Sequence, residues 1–270
     1  MTGSLSARQA AHSPPASAPA LAPAAAVVPS LRARSLFAPI DAGGRAETVA
    51  RRLIQAIRLG LLLDGERLPA ESTLAGQFGV SPVTLREALA TLRSMGLVET
   101  RRGRGGGSFV RAPQEPQPVR LERPLRLLSP HELQDIGDHR AALAGAAAKL
   151  AAERALGGDV TTLRGHIDRL HHARTLTERR RADARIHIEI AAAAQSPRLT
   201  RQEMDLWSEV GDLIWLPVTE AQAPAVAGEH EALIDAIESQ RPEQARLLAE
   251  RHVLAETERL LALRLRLPAQ

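Results

Sequence analysis

A chain of 270 residues, 44% of them hydrophobic, can supply the cores of two modest domains; with 2% aromatics and no Tyr its apolar surface is chiefly Ala and Leu, which argues against one large β domain. No Cys is present, so disulfides, thiolate metal sites and Cys nucleophiles are excluded and a reducing cytoplasm is the matching compartment, and no apolar run reaches the roughly 18 residues that would span a membrane. The formal net charge of +4 calls for no polyanionic partner by itself, but residues 44–112 carry 11 Lys+Arg against 6 Asp+Glu while residues 113–270 carry 21 against 24, the pattern of a DNA reader joined to a separate module.

Residues 1–43 are rich in Ala, Pro and Ser without periodicity and are expected to be disordered. From Glu47 the apolar spacing turns helical through Val49, Leu53, Ile54 and Ile57, with Gly60 as a stop and Asp64-Gly65 as a turn. A second helix starts near Glu71, carries Leu74, Ala75 and Phe78, and closes on Gly79 in a left-handed cap. Ser81-Pro82 is an N-cap hydroxyl followed by a first-turn proline, opening a third helix with Leu85, Leu89 and Leu92 inward. Two β-prone pieces, 97–100 and 108–111, flank a basic glycine-rich tip, which predicts a hairpin. The segment 113–128 reads as a proline-stiffened linker. Beyond Ser129-Pro130 the chain is helical to about residue 267, broken at Gly157-Gly158, between Thr175 and Thr177, at Ser196-Pro197, at Ala223-Pro224 and at Arg241-Pro242, which predicts an antiparallel bundle of about six helices. The expected fold is therefore mainly α: a winged helix-turn-helix over 44–112 followed by an all-helical bundle over 129–267.

In a helix-turn-helix the second helix enters the major groove, and its first turn meets bases and phosphates. Ser81, Thr84 and Arg86 fall on the outward side of that helix, and Arg102 and Arg104 at the hairpin tip can neutralise phosphates or enter the minor groove. Either feature alone also suits a solvated helix or a flexible loop. Their order decides. Leu68-Pro69-Ala70-Glu71-Ser72, Gly79-Val80-Ser81 and Gly96-Leu97-Val98-Glu99, with the wing after them, closely resemble the GntR family of bacterial regulators over residues 46–111. The resemblance implies that Ser72, Ser81, Pro82, Val83, Thr84, Arg86 and the wing, with Arg102, Arg104, Gly105 and Gly106, contact a double-stranded DNA operator. Ser72 and Pro82 depart from members with Arg at those places, so the operator sequence cannot be carried over from a relative.

Three segments place an Asp four residues before a His, on one helix face: Asp135/His139, Asp168/His172 and Asp183/His187. Asp183 and His187 continue in a four-residue row into Ile190 and Ala194 and should face the core, whereas Asp168 and His172 share their side with Arg164 and Thr175 and should face water. His230 lies on a row with Leu233, Ile234 and Ile237, and His252 on one with Leu248 and Ala255. A buried carboxylate with three imidazoles is costly unless a cation connects them, and one Asp with three His suits Zn²⁺, Ni²⁺, Mn²⁺ or Fe²⁺ with positions left for a ligand's carboxylate. Hydrogen-bonded core histidines are the competing reading. His131, His166, His171 and His172 are assigned to the solvated surface.

The helical region resembles the FCD sensor domain of the FadR subfamily, whose motif Asp183, His187, His230 and His252 match in order. That resemblance implies a divalent metal held by these four. The Glu the family often has four residues after the Arg of its first sensor helix is replaced by Ala144, and a frequent Asn by Gln195. Arg140, on the row Leu133, Ile136, Leu143 and Ala147, points inward and can bind an effector carboxylate bidentately or form a structural ion pair. The expected function is a cytoplasmic, homodimeric, non-enzymatic transcription regulator, a repressor, whose response to a small carboxylate metabolite at the metal and Arg140 changes the spacing of its two DNA heads. Two rivals are a metal-dependent hydrolytic enzyme fused to a DNA-binding domain, for which no distinct general base is present, and an architectural DNA binder without effector.

Overall fold

The computed structural model describes residues 36–37, 39, 46–103, 105–112 and 118–268. The expected disordered tail therefore lies almost wholly outside the described residues, and so does Arg104. Where the tail is described it departs from the expectation: Leu36 and Phe37 are buried, and the Phe37 ring meets that of Phe78 edge-on at 5.6 Å. A pair of apolar residues has no periodicity to reveal it, and the surface that covers it is supplied from elsewhere in the chain.

The N-terminal unit packs α1 (Ala46–Arg58), α2 (Glu71–Phe78) and α3 (Pro82–Ser94) against the hairpin β1 (Val98–Arg101) and β2 (Gly107–Val110). Val49, Leu53 and Ile57 of α1 meet Leu74 and Phe78 of α2 and Leu85, Leu89 and Leu92 of α3 in one apolar core. Gly79 ends α2 at φ 66°, a left-handed conformation that costs glycine nothing. The Ser81 side chain then accepts from the Thr84 amide at 3.1 Å and Pro82 opens α3, so local signals at Gly79, Ser81 and Pro82 set the angle between the helices. The strands are antiparallel, pairing Val98 with Val110 and Arg101 with Gly107; both reach one residue closer to the tip than the β-prone runs indicate. Residue Arg67 adds a bridge to Phe109.

The linker reading is corrected in part. Residues 118–127 form α4 (Pro118–Leu127), and Leu125 is buried. Proline frequency suggested a stiff extended segment, but proline in a first turn gives up no helical hydrogen bond, so Pro118 begins a helix. The stretch 113–117 lies outside the described residues.

Six helices follow, as the breaks in the sequence predict: α5 (Pro130–Arg154), α6 (Gly157–His172), α7 (Leu176–Ala193), α8 (Pro197–Val210), α9 (Ala223–Glu238) and α10 (Pro242–Arg266). Capping boxes at Ser129/Glu132 and Thr175/Glu178 start α5 and α7, and first-turn prolines start α5, α8, α9 and α10. Helices α5 and α10 lie very close, because Gly137 has no Cβ to meet Thr257; one built there would come within 2.4 Å of it. Helix α7, Ala- and Ile-rich along its C-terminal half, is buried nearly all round and forms the centre of the bundle. Among the described residues no helix is long and apolar enough to cross a membrane.

The two units touch through α1 and α8. Gln55 donates from Nε2 to the Met204 carbonyl at 2.6 Å and to Asp205 Oδ1 at 3.2 Å, and Arg185 donates to the Gly60 carbonyl.

Candidate functional site

The start of α3 is bare. Ser72, Ser81, Pro82, Val83 and Arg86 are exposed and Thr84 is half-buried; Val83 leaves 59% of its surface in water, which nothing in the core requires. Arg86 lies 3.8 Å from Glu71, with 62% of its side chain exposed, a solvated pair too weak to hold it. At the wing, Arg101 lies over the Phe109 ring at 4.2 Å and shares Glu99 with Arg111, which together hold the Glu99 carboxyl below its ordinary range. Those two arginines stiffen the hairpin stem, leaving Arg102 exposed nearer the tip. Gly105 and Gly106 are at the turn itself; a Cβ on Gly106 would meet the Arg101 carbonyl at 2.4 Å, so the tip is tight as well as cationic.

Within the bundle three helices bring one acid and three imidazoles together. Helix α7 contributes Asp183 and His187 from one face, α9 contributes His230, and α10 contributes His252; all four are buried, and their candidate ligand atoms lie within 4.8 Å of one another. His230 Nε2 is 2.7 Å and His187 Nε2 3.6 Å from Asp183 Oδ1. Neighbours aim the rings. His230 donates from Nδ1 to the Val226 carbonyl at 2.9 Å, and His252 from Nδ1 to Glu229 at 2.6 Å, so both Nε2 atoms turn inward. Trp215 donates to Asp183 Oδ2 at 2.7 Å, which leaves Oδ1 for the cluster. Asp183 Oδ1 and the Nε2 atoms of His187, His230 and His252 are buried without a hydrogen-bond partner. Four orphaned donor atoms converging on one point, each aimed by an outer hydrogen bond or by helix register, fit a divalent ion with N/O preference. They fit ordinary core histidines less well, since those would use both ring nitrogens.

The electrostatics divide the imidazoles. Burial drives His187 down to about 3, so it is neutral and ready to donate a lone pair. Burial also opposes a charge on His252, but the carboxylates of Glu256 and Glu229 outweigh it and raise that group to about 9. Burial lifts Glu203, which accepts from Trp207 Nε1 at 3.0 Å, to about 7.

Arg140 is buried, as its row predicts, and the partner it finds is Glu256, 2.9 Å from Nη2, with the Trp207 ring 5.2 Å from the guanidinium. Of the two readings of Arg140, the ion pair is the one formed within the chain. Sequence reasoning missed Glu256, Glu229 and Glu203 and both tryptophans. Glu256 alone had a usable signal, since it follows Leu248 and His252 in the same four-residue row.

Asp168, His172, Asp135, His139, His131 and His171 are exposed, as expected or without contradiction. His166 is a correction: it is buried beside Leu163, Ile167 and Leu170, with Arg169 2.9 Å from Nδ1. It falls on the apolar face of α6, a spacing readable beforehand. Gln195 does not approach the cluster; at φ 53° it terminates α7 and donates to the Arg154 carbonyl at 2.8 Å.

Residues 45–107 match the family model of bacterial regulatory proteins, gntR family, and residues 135–255 match the FCD domain. The chain is 43% identical over 212 residues, 77% of each chain, to a Mycobacterium gastri protein described as an HTH-type transcriptional regulator, RmpR. It is 35% identical over 158 residues, 58% of this chain and 64% of the relative, to an uncharacterized HTH-type transcriptional regulator of Mycobacterium tuberculosis. Among solved structures, E. coli McbR/YncC aligns at TM-score 0.49 and 20% identity, over 81% of this chain and 97% of that one.

Proposed function

We propose that this chain, which belongs to the gntR family of bacterial regulatory proteins and carries an FCD domain, is a cytoplasmic, homodimeric repressor that reads a DNA operator and answers to a small carboxylate bound at a divalent metal. It is a transcriptional regulator and not an enzyme, as the curated relatives are.

The observation that carries the DNA-reading part is the uncovered first turn of α3. Ser81 and Thr84 offer hydroxyls, Val83 an apolar contact for a thymine methyl, and Arg86 a guanidinium that can grip a guanine edge or a phosphate. Ser72 at the start of α2 lies on the backbone side, and Arg102, Arg104, Gly105 and Gly106 follow the neighbouring groove as a wing. Two copies related by a two-fold axis would meet half-sites about 34–36 Å apart or a multiple of that, which makes operator binding sensitive to the angle between the heads.

For the sensor, Asp183, His187, His230 and His252 would hold Zn²⁺, Ni²⁺, Mn²⁺ or Fe²⁺. When bound, the ion supplies a Lewis-acidic centre with affinity for an effector's carboxylate. The chain's own residues do the rest: Val226 and Glu229 orient two imidazoles, Trp215 fixes Asp183, and Arg140 supplies a buried positive charge. Helix α8 lines the centre with Glu203 and Trp207 and receives Gln55 from α1, so a shift of α8 reaches the DNA-binding unit directly. Footprinting on genomic fragments against random duplex at moderate salt tests the reading. A defined protected site, lost in Arg86→Ala, is expected; equal affinity for every duplex would refute operator recognition.

A further inference from the structure

We propose that Glu256 is a fifth protein ligand of this centre, holding the place that a small carboxylate effector would take, so that effector binding is a competition against a carboxylate built into the chain. The inference rests on the metal reading above and deepens it.

Glu256 is buried, and its two oxygens have different neighbours. Oε2 lies 2.9 Å from Arg140 Nη2, whereas Oε1 has no hydrogen-bond partner and lies 3.3 Å from His252 Nε2, itself one of the orphaned ligand atoms. A purely structural Arg–Glu pair in a dry interior would close side-on through two parallel N–H···O contacts, because each leftover polar atom costs free energy. This pair does not close. Arg140 Nε is likewise without a partner. Oε1 stands beside the orphaned His252 Nε2, where one metal ion would satisfy both atoms, and the open geometry at Arg140 leaves room for a ligand carboxylate to replace that of Glu256.

Helix geometry supports the assignment. His252 and Glu256 are four residues apart on α10, as Asp183 and His187 are on α7, so two helices each present an acid and an imidazole from one face. A metal accepting the His252 Nε2 lone pair would have Oε1 as its neighbour, since that oxygen lies 3.3 Å from Nε2.

The test uses full-length protein loaded with Co²⁺, whose visible bands report coordination, and acetate as the probe carboxylate. In Glu256→Gln we expect Co²⁺ affinity, measured by chelator competition, to fall about 10–100-fold, with an altered spectrum. Acetate, read from its effect on that spectrum, should bind about tenfold more tightly, because its intramolecular competitor is gone. Opposite signs are the signature; a residue that merely supports the fold would weaken both. Glu256→Asp keeps the charge beside Arg140 with a shorter reach, should show the same two signs at smaller size, and carries the test if Glu256→Gln does not fold. Unchanged Co²⁺ affinity in a folded variant overturns the ligand role, and acetate binding that is unchanged or weaker overturns the competition. Wild-type protein that takes up no Co²⁺ would instead refute the metal centre itself, and this inference with it.

Discussion

Metal loading should stabilise the protein by an amount the architecture bounds. The four candidate ligand atoms come from α7, α9 and α10, and only Asp183 and His187 are neighbours along the chain. The unfolded chain therefore offers no comparable site, and an ion that binds only the folded form stabilises it by mass action, about 2.7 kcal/mol at a free metal concentration 100 times Kd. For a chain of this size each kcal/mol moves Tm by roughly 2–4 °C, so the expected rise is about 5–11 °C over chelator-treated protein. The assay is thermal unfolding followed by far-ultraviolet circular dichroism, with Zn²⁺, Ni²⁺, Mn²⁺ and Fe²⁺ each titrated into stripped protein. His230→Ala removes a buried ligand whose Nε2 is 2.7 Å from Asp183, and should lower the starting Tm and abolish its dependence on metal concentration. The reasoning is refuted if none of the four ions shifts wild-type Tm, or if His230→Ala responds as strongly as wild type.

Arg86→Ala should weaken operator binding by about 1–3 kcal/mol with the melting temperature unchanged, measured by fluorescence anisotropy at fixed salt; full affinity would remove Arg86 from the interface. A pH dependence follows from His252, whose value rises from 6.5 unfolded to about 9 folded. Its protonation stabilises the metal-free chain fully below 6.5 and is lost as pH climbs through 9, so metal uptake at pH 7.5 should release a proton and tighten as pH rises toward 9. Calorimetry in two buffers of different ionisation enthalpy measures that release, and a buffer-independent heat would contradict it. Gly137→Ala places a methyl 2.4 Å from the Thr257 side chain and should cost about 1–3 kcal/mol, read as a lowered Tm that Thr257→Ala partly restores; an unchanged Tm would mean α5 and α10 are not so close.

The fold was legible where signals were local. Gly79, Ser81 and Pro82 fix the helix-turn-helix within four residues, and each acts through its own backbone preference, which needs no tertiary information. The helices of the C-terminal bundle begin at first-turn prolines and capping boxes for the same reason. Legibility failed where a residue's fate depended on distant surface. Leu36 and Phe37 are covered through contacts such as the Phe78 ring, and α4 starts from a proline in a stretch whose composition suggested extended chain.

At the Asp/His cluster the limit is of another kind. Three Asp/His pairs share one spacing, and spacing says only that two side chains lie on one face, not which face is buried. The apolar continuation from His187 through Ile190 to Ala194 supplied the missing fact, because a helix turned fully to the core carries it on every row, while Asp168 and His172 share their side with Arg164 and Thr175. The same row logic would have found His166 on α6 and Glu256 on α10. It could not have found Glu203 or Glu229, whose importance arises only where α8 meets α7 and α9 meets α10. Nor could it have predicted that Arg140 closes on Glu256 through a single nitrogen, because an open or closed ion pair is decided by fractions of an ångström in helix packing. Motif matching thus recovers the candidate ligands that share a register and loses the carboxylates around them. Those carboxylates lie against His187 and His252 and set the charge around the cluster.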